Sequence, residues 1–143
     1  MIISIGADHA GFSVKEKIRE YLESKSYTIL DKGAYSEESV DYPEFGHAVG
    51  NSVQGGESTK GIVVCGSGIG ISMAANKIVG IRAALCTTPE HAQMSRLHND
   101  ANVLAIGARM TDYAVITDIL DTWLSTEFEG GRHSRRIDKI EVS

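Results

Sequence analysis

Short runs of apolar, mostly β-branched residues recur along the 143-residue chain, at positions 2–6, 27–30, 61–65, 81–86 and 102–107. Within each run the apolar residues are largely continuous and do not alternate with polar ones. That pattern is typical of strands buried on both faces, as in a parallel sheet. The sequence therefore predicts about five central strands.

Helical patterns separate these runs. Ser13 and Glu16 have the spacing of a capping box, which predicts the start of a first helix. Pro43 suits the first position of a second helix, and a third helix is predicted over 69–77. The apolar residues of the first helix fall on one stripe: Val14, Ile18 and Leu22.

Two further helices are predicted in the second half of the chain. Thr88 and Pro89 have the residue types of an N-cap and a first helical position. A long fifth helix carries Trp123 on its apolar face, so we expect this side chain in the core and not against a ligand. The predicted inner face comprises Ile116, Ile119, Leu120, Trp123 and Leu124.

Alternation of strand and helix indicates an α/β fold, which we expect to be a three-layer sandwich around a mostly parallel sheet. Neither a linker nor an internal repeat interrupts residues 1–143, so one domain is predicted. The tail EGGRHSRRIDKIEVS has two glycines, then basic residues, then a short amphipathic stretch. It predicts a C-terminal helix that packs on a neighbour.

Composition narrows the function classes. The chain is 42% hydrophobic and 23% charged, and its net charge of −5 argues against general nucleic-acid binding. No apolar run approaches the roughly 20 residues of a membrane span, and the first residues lack the basic start of a signal peptide. Cys65 and Cys86 form neither a disulfide framework nor a CxxC spacing, which favours a reducing, cytoplasmic location.

The stretch VVCGSGIGIS, residues 63–72, places Cys65 at a strand end before three closely spaced glycines. Gly66, Gly68 and Gly70 do not have the GxGxxG spacing of a dinucleotide loop, and the GK[ST] of a P-loop is missing. A phosphatase loop would need arginine where Ile71 stands. Such a loop suits close backbone approach to a small anionic substrate, although tight strand-to-helix turns also occur for packing reasons alone.

Several segments together carry a resemblance: GADHAGF, DKG, DYPEF, CGSGIGISMAANK, GIRAALC, SRLHNDANVLAIGAR and EGGRHSRRI. In order and spacing the chain resembles the type B ribose-5-phosphate isomerase family, which includes allose- and galactose-6-phosphate isomerases. The resemblance implies a Rossmann-like fold and interconversion of aldose and ketose sugar phosphates. It also implies no metal or other cofactor and a homodimer or homotetramer.

The resemblance assigns Cys65 as the base that moves a carbon-bound proton. An ordinary thiol is only about 3% ionised at pH 7, so hydrogen bonds from loop N–H groups are expected to support it. By the same resemblance Ser67 binds the enediolate oxygens and His98 opens the sugar ring. From the residues alone, the alternatives are a buried structural thiol, a helix-capping serine and a solvated loop histidine. Cys86 is expected in the core.

The predicted topology separates two of these groups. His98 follows the fourth helix and precedes a strand, whereas Cys65 ends one, so they should lie at opposite ends of the sheet. They can meet only across two subunits. The resemblance adds a phosphate clamp of His9, Arg109, Arg132 and Arg136, although a basic terminus is also commonly just solvated. Its further substrate contacts are Asp8, His9, Tyr42, Gly66, Gly68, Gly70, Ser72, Asn99 and His133.

The leading hypothesis is conversion of ribose 5-phosphate into ribulose 5-phosphate through an enediolate. Allose 6-phosphate and galactose 6-phosphate are alternative substrates for the same chemistry. A regulatory module that binds a sugar phosphate without catalysis would use the clamp but not the thiol. Redox sensing through Cys65 would need a resolving partner.

Overall fold

Five strands form one sheet in the computed structural model, which describes residues 1–142. Every neighbouring pair of strands runs parallel, so the predicted mostly parallel sheet is entirely parallel. The strands are β1 (Ile2–Ala7), β2 (Thr28–Asp31), β3 (Lys60–Cys65), β4 (Ala83–Leu85) and β5 (Val103–Gly107). Their order in the sheet is β2-β1-β3-β5-β4.

Helices alternate with these strands as predicted, and a short helix forms in the C-terminal tail. Among the described residues, no helix has both the length and the apolar character that crossing a membrane requires. The helices are α1 (Phe12–Ser24), α2 (Tyr42–Gln54), α3 (Ile69–Ala75), α4 (Pro89–Leu97), α5 (Tyr113–Ser125) and α6 (Arg132–Asp138).

The sheet separates two apolar clusters, because successive side chains of a strand point to opposite faces. Ile62 and Val64 of β3 pack on the face covered by α1, α4 and α5, where Trp123 is fully buried as predicted. Val63 and Cys65 point to the other face, which α2 and α3 cover. The three-layer α/β architecture expected from the sequence is therefore present, with Cys65 on the α2–α3 side.

The predicted capping box at the start of the first helix is wrong. Helix α1 begins at Phe12, with Gly11 at the N-cap and no side-chain cap, so Ser13 already lies inside the first turn. Glu16 is 2.6 Å from Arg19 and 3.3 Å from Lys15 instead. The Thr88 cap is confirmed, since its hydroxyl accepts the His91 N–H at 3.1 Å.

Strand β4 lies at one edge of the sheet and is shorter than the run 81–86 suggested. Asn76, just beyond α3, meets this edge with its side-chain amide. Its Nδ2 donates to the Ala83 carbonyl at 3.0 Å, and its Oδ1 accepts the Ala83 N–H at 2.7 Å. One side chain therefore takes both main-chain groups that a further strand would use at this position.

Candidate active site

Cys65 ends β3 at the carboxyl edge of the sheet and is 5% exposed. The main-chain N–H of Gly68 donates to its Sγ at 3.2 Å. Gly68 has φ of +78°, a left-handed conformation that favours glycine and turns this N–H back towards the sulfur. The expected hydrogen bond from a loop N–H group to the Cys65 sulfur is therefore present.

Ser67 lies in this loop and Ser72 lies in the first turn of α3, and both hydroxyls bond to Ile69. Ser67 Oγ accepts the Ile69 N–H at 3.1 Å, so the capping role considered from the sequence is present. A hydroxyl that accepts one hydrogen bond can still donate its own proton to a ligand. Ser72 Oγ donates to the Ile69 carbonyl at 2.7 Å, which directs its proton into α3.

Arg109 and Tyr42 lie against two of the loop glycines. The Arg109 N–H donates to the Gly66 carbonyl at 2.9 Å, and its side chain passes 3.5 Å from where a Cβ on Gly66 would stand. A Cβ on Gly70 would lie only 2.7 Å from the Tyr42 ring. Gly70 therefore admits the Tyr42 phenol close to the cysteine loop, whereas a side chain on Gly66 would be in ordinary contact with Arg109.

Asp8 and His9 follow β1, the neighbour of β3, and complete this cluster. Asp8 is 7% exposed; its N–H donates to the Val64 carbonyl at 3.3 Å and its Oδ1 accepts the Gly11 N–H at 3.0 Å. His9 Nδ1 is 3.2 Å from both the N and the O of Val40. These contacts fix Asp8 and His9 beside the end of β3.

The remaining predicted residues form a second cluster at the end of α4 and in the tail. His98 caps α4, and its ring stacks on that of His133, with centroids 4.4 Å apart and planes 18° apart. His133 is 5% exposed, and burial lowers its pKa, with the neighbouring His98 and Arg132 acting in the same direction. Three exposed residues surround the pair: Asn99, Arg132 and Arg136.

Two arginines that the sequence analysis missed brace the loop after His98. Arg96 is 6% exposed; its Nη1 donates to Asp100 Oδ1 and to the Ala101 carbonyl, each at 2.8 Å. Arg82 Nη2 donates to the Asp100 carbonyl at 2.9 Å. Asp100, with φ of +45°, is the turn-forming residue held by both. The i,i+4 spacing of Arg96 and Asp100 is the feature of the sequence from which this contact could have been predicted.

The two clusters lie at opposite ends of the strands, the Cys65 cluster at the carboxyl ends and the His98 cluster at the amino ends. Cys65 pairs with Gly107, the last residue of β5, whereas His98 precedes Val103, the first residue of that strand. A strand of this length spans about 13 Å, at roughly 3.3 Å a residue. The predicted separation of thiol and imidazole within one chain is therefore confirmed, and one pentose cannot touch both.

Two cavities border these clusters. The larger, about 580 Å³, lies between β4 and the tail and is lined by Arg82, Asn99 and Glu141 among others. The smaller, about 200 Å³, is lined by Tyr42, Gly70 and Lys77 among others. Cys65 lines neither of them. The described part of the chain thus holds the predicted site residues in two separate clusters.

Known proteins match this chain over nearly its whole length. Residues 3–140 match the family described as Ribose/Galactose Isomerase. Ribose-5-phosphate isomerase B of Escherichia coli K12 is 46% identical, over 96% of this chain and 93% of that protein. The structure of ribose-5-phosphate isomerase B from Clostridium thermocellum has a TM-score of 0.97 at 52% identity, covering 98% of this chain and 95% of the other.

A ribose 5-phosphate isomerase from Thermotoga maritima is also similar in structure, with a TM-score of 0.96 at 49% identity. This match covers 97% of this chain and 96% of the Thermotoga maritima chain. Identity at this level, together with a shared fold over both full lengths, is sufficient to assign a family. The chain belongs to the ribose/galactose isomerase family of sugar phosphate isomerases.

Proposed function

We propose that this protein converts ribose 5-phosphate into ribulose 5-phosphate, with residues 1–143 acting as one isomerase domain in the cytoplasm. The observation that carries the proposal is the hydrogen bond from the Gly68 N–H to the Cys65 sulfur, in a loop built for close approach. Similarity to proteins named ribose-5-phosphate isomerase B supports the choice of sugar. Both cysteines are free, in agreement with a reducing compartment.

In this reaction His98 opens the ring by giving a proton to the ring oxygen and taking the C1 hydroxyl proton. The Cys65 thiolate then removes the proton from C2. The resulting enediolate is held by the loop N–H groups and the Ser67 hydroxyl. The proton on sulfur returns to C1 while the hydroxyl proton moves from O2 to O1, which completes the exchange without a cofactor.

Both clusters are needed for one turnover, so we propose a homodimer, or a tetramer of such dimers, with shared sites. Cys65 of one protomer would face His98 of the other. Arg109 follows β5 and contacts the cysteine loop of its own chain, whereas Arg132 and Arg136 lie in the tail cluster. The phosphate clamp is therefore also divided, with His9 and Arg109 from one protomer and the tail arginines from the other.

The thiol is tested by comparing Cys65→Ala with Cys86→Ala in the presence of a chelator. Cys86 is 1% exposed in the core and gives a matched control. We expect Cys65→Ala to lose turnover of ribose 5-phosphate while still binding it, and Cys86→Ala to keep turnover. A Cys65→Ala protein with the wild-type rate would remove the thiol from the mechanism.

Solvent exchange separates an isomerase from a sugar-phosphate sensor. In deuterated water the wild-type protein should place deuterium on the substrate carbons that lose and regain a proton. Binding of ribose 5-phosphate without any exchange would favour the regulatory module. Turnover of allose or galactose 6-phosphate in preference to the pentose would replace the substrate but keep the chemistry.

The shared site is tested by mixing two inactive variants. Cys65→Ala and His98→Asn are unfolded together in equal amounts and refolded, so that half of the dimers are mixed. In each mixed dimer, one of the two shared sites has both Cys65 and His98 intact, so about a quarter of the wild-type activity should return. Each variant refolded alone is the control, and no recovery in the mixture would refute the shared site.

A further inference from the structure

His98, Glu129 and His133 converge at the tail cluster, and Glu129 has no part in the proposed isomerase reaction. The potential ligand atoms of the three side chains all lie within 4.8 Å of one another. The main chain holds them there, because the Glu129 N–H donates to the Leu97 carbonyl at 3.1 Å. This bond ties the tail to the end of α4, next to His98.

The inner member of this cluster has an unsatisfied polar atom. His133 is 5% exposed, and its Nε2 has no hydrogen-bond partner among residues 1–142. Glu129 Oε1, at 3.8 Å, is too far away to accept a hydrogen bond from it. A buried nitrogen without a partner is unfavourable, so this atom is directed towards a group that the described chain does not supply.

Two imidazoles and one carboxylate are a common ligand set for divalent transition ions, with open positions left for water. Bond lengths of about 2.0–2.2 Å to zinc place such ligand atoms about 3.3 Å apart. The cluster must therefore contract, and Glu129, half-exposed, is free to move inward. The stacked rings cannot both direct a lone pair at one ion, so the more accessible His98 must turn.

His133 is held more firmly than the other two ligands. Its buried position, at 5% exposure, fixes the ring, whereas His98 and Glu129 can adjust. The cluster thus combines one rigid ligand with two adaptable ones.

We propose that His98, Glu129 and His133 form a binding site for a divalent transition ion, with zinc as the metal used to test it. The binding site is inferred from the cluster and does not depend on the proposed function. Its consequence, inhibition of isomerisation, rests on the proposed function, because a metal-bound His98 has no lone pair left to open a sugar ring. The site would make turnover sensitive to free zinc, although the reaction itself uses no metal.

Cobalt binding, zinc calorimetry and zinc inhibition test this site when the intact protein is compared with Glu129→Gln and Glu127→Gln. Glu127 is an exposed acid in the same tail and serves as the matched control. Wild type and Glu127→Gln should bind one zinc ion per chain, and Glu129→Gln should bind it at least about tenfold more weakly. All three proteins should have the same turnover without metal.

Cobalt distinguishes this cluster from the other obvious ligand, the Cys65 sulfur. Bound cobalt should show the visible bands of nitrogen and oxygen ligands and no near-ultraviolet thiolate-to-cobalt band. A thiolate band, or zinc affinity unchanged in Glu129→Gln, would overturn the proposed site.

Inhibition separates this inference from the proposed function. Zinc should inhibit the wild-type protein, a chelator should reverse the effect, and Glu129→Gln should need at least about tenfold more zinc for the same inhibition. Zinc bound through Glu129 with turnover unaffected would leave the metal site in place and contradict the ring-opening role of His98. Inhibition without Glu129-dependent binding would instead overturn the metal site.

Discussion

Gly107→Ala tests whether the position of the cysteine loop controls the rate. Gly107 ends β5 directly beside Cys65 in the sheet. A Cβ built on Gly107 would lie 2.5 Å from the carbonyl oxygen of Ser67 and 2.7 Å from its carbonyl carbon. Ordinary contact begins at 3.4 Å, so the Ser67 carbonyl must move by about 0.9 Å (3.4 − 2.5).

That displacement occurs between Cys65 and Gly68, the two residues joined by the hydrogen bond to the sulfur. Ser67 directly precedes Gly68, whose N–H donates to Cys65 Sγ. A misplacement of about 1 Å in a catalytic constellation costs about a hundredfold in rate. We therefore expect kcat of Gly107→Ala to fall about a hundredfold, accompanied by an overpacking cost of about 1–3 kcal/mol in the free energy of unfolding.

Gly61→Ala is the matched control, since Gly61 lies in the neighbouring strand β3 at the other edge of the sheet. Its Cβ would overlap Val49 Cγ1, and the three atoms nearest to it are side-chain atoms of residues outside the cysteine loop. Isomerisation kinetics and urea unfolding are measured on both variants, so that rate is compared at known folded fraction. Both should be destabilised, but only Gly107→Ala should lose kcat. A Gly107→Ala kcat within about a factor of two of wild type would refute the reasoning.

Three further predictions concern stability, each measured by urea unfolding. The ammonium of Lys15 is fully buried and lies 2.7 Å from Asp31 Oδ1, so Asp31→Asn removes its main carboxylate partner. We expect the free energy of unfolding to fall by about 3 kcal/mol, and a fall below about 1 kcal/mol would contradict this. Thr88→Ala removes the cap bond to the His91 N–H and should cost about 1 kcal/mol, whereas Thr88→Ser should restore most of it. Burial raises the pKa of Cys86 to about 11 from 9.0, so the neutral thiol is favoured in the folded state. Its contribution is fully present below about pH 9 and is lost as the pH rises towards about 11, so the alkaline decline should be steeper in wild type than in Cys86→Ala.

Much of the fold was predictable because the sheet is buried on both faces. Continuous apolar runs predicted four of the strands to within about one residue at each end. The exception was β4: the predicted run includes Ile81 and Arg82, but the strand begins only at Ala83. The Ile81 N–H instead closes a turn onto the Ile78 carbonyl, and the Arg82 N–H bonds Asn102 Oδ1. Asn102 is 20 residues from Arg82 in sequence, so a local pattern cannot reveal that bond.

The separation of Cys65 and His98 was predictable from the sequence, but the residues that hold the loop after His98 were not. Topology alone placed Cys65 and His98 at opposite edges, because the chain must cross the sheet between a strand end and a strand start. The bracing of the His98 loop by Arg82 and Arg96 depends on main-chain carbonyls that no residue pattern marks. Glu129 was missed for a similar reason, since its proximity to His98 arises only when the tail folds back onto α4.

Asn76 has a consequence for how molecules of this protein can associate. An outer strand with free main-chain groups invites another chain to extend the sheet, which is a common start of aggregation. At Ala83 both groups are already bonded to the amide of Asn76. Because β4 has only three residues, this single amide leaves little of its edge available, so extension of the sheet by another chain is disfavoured at β4.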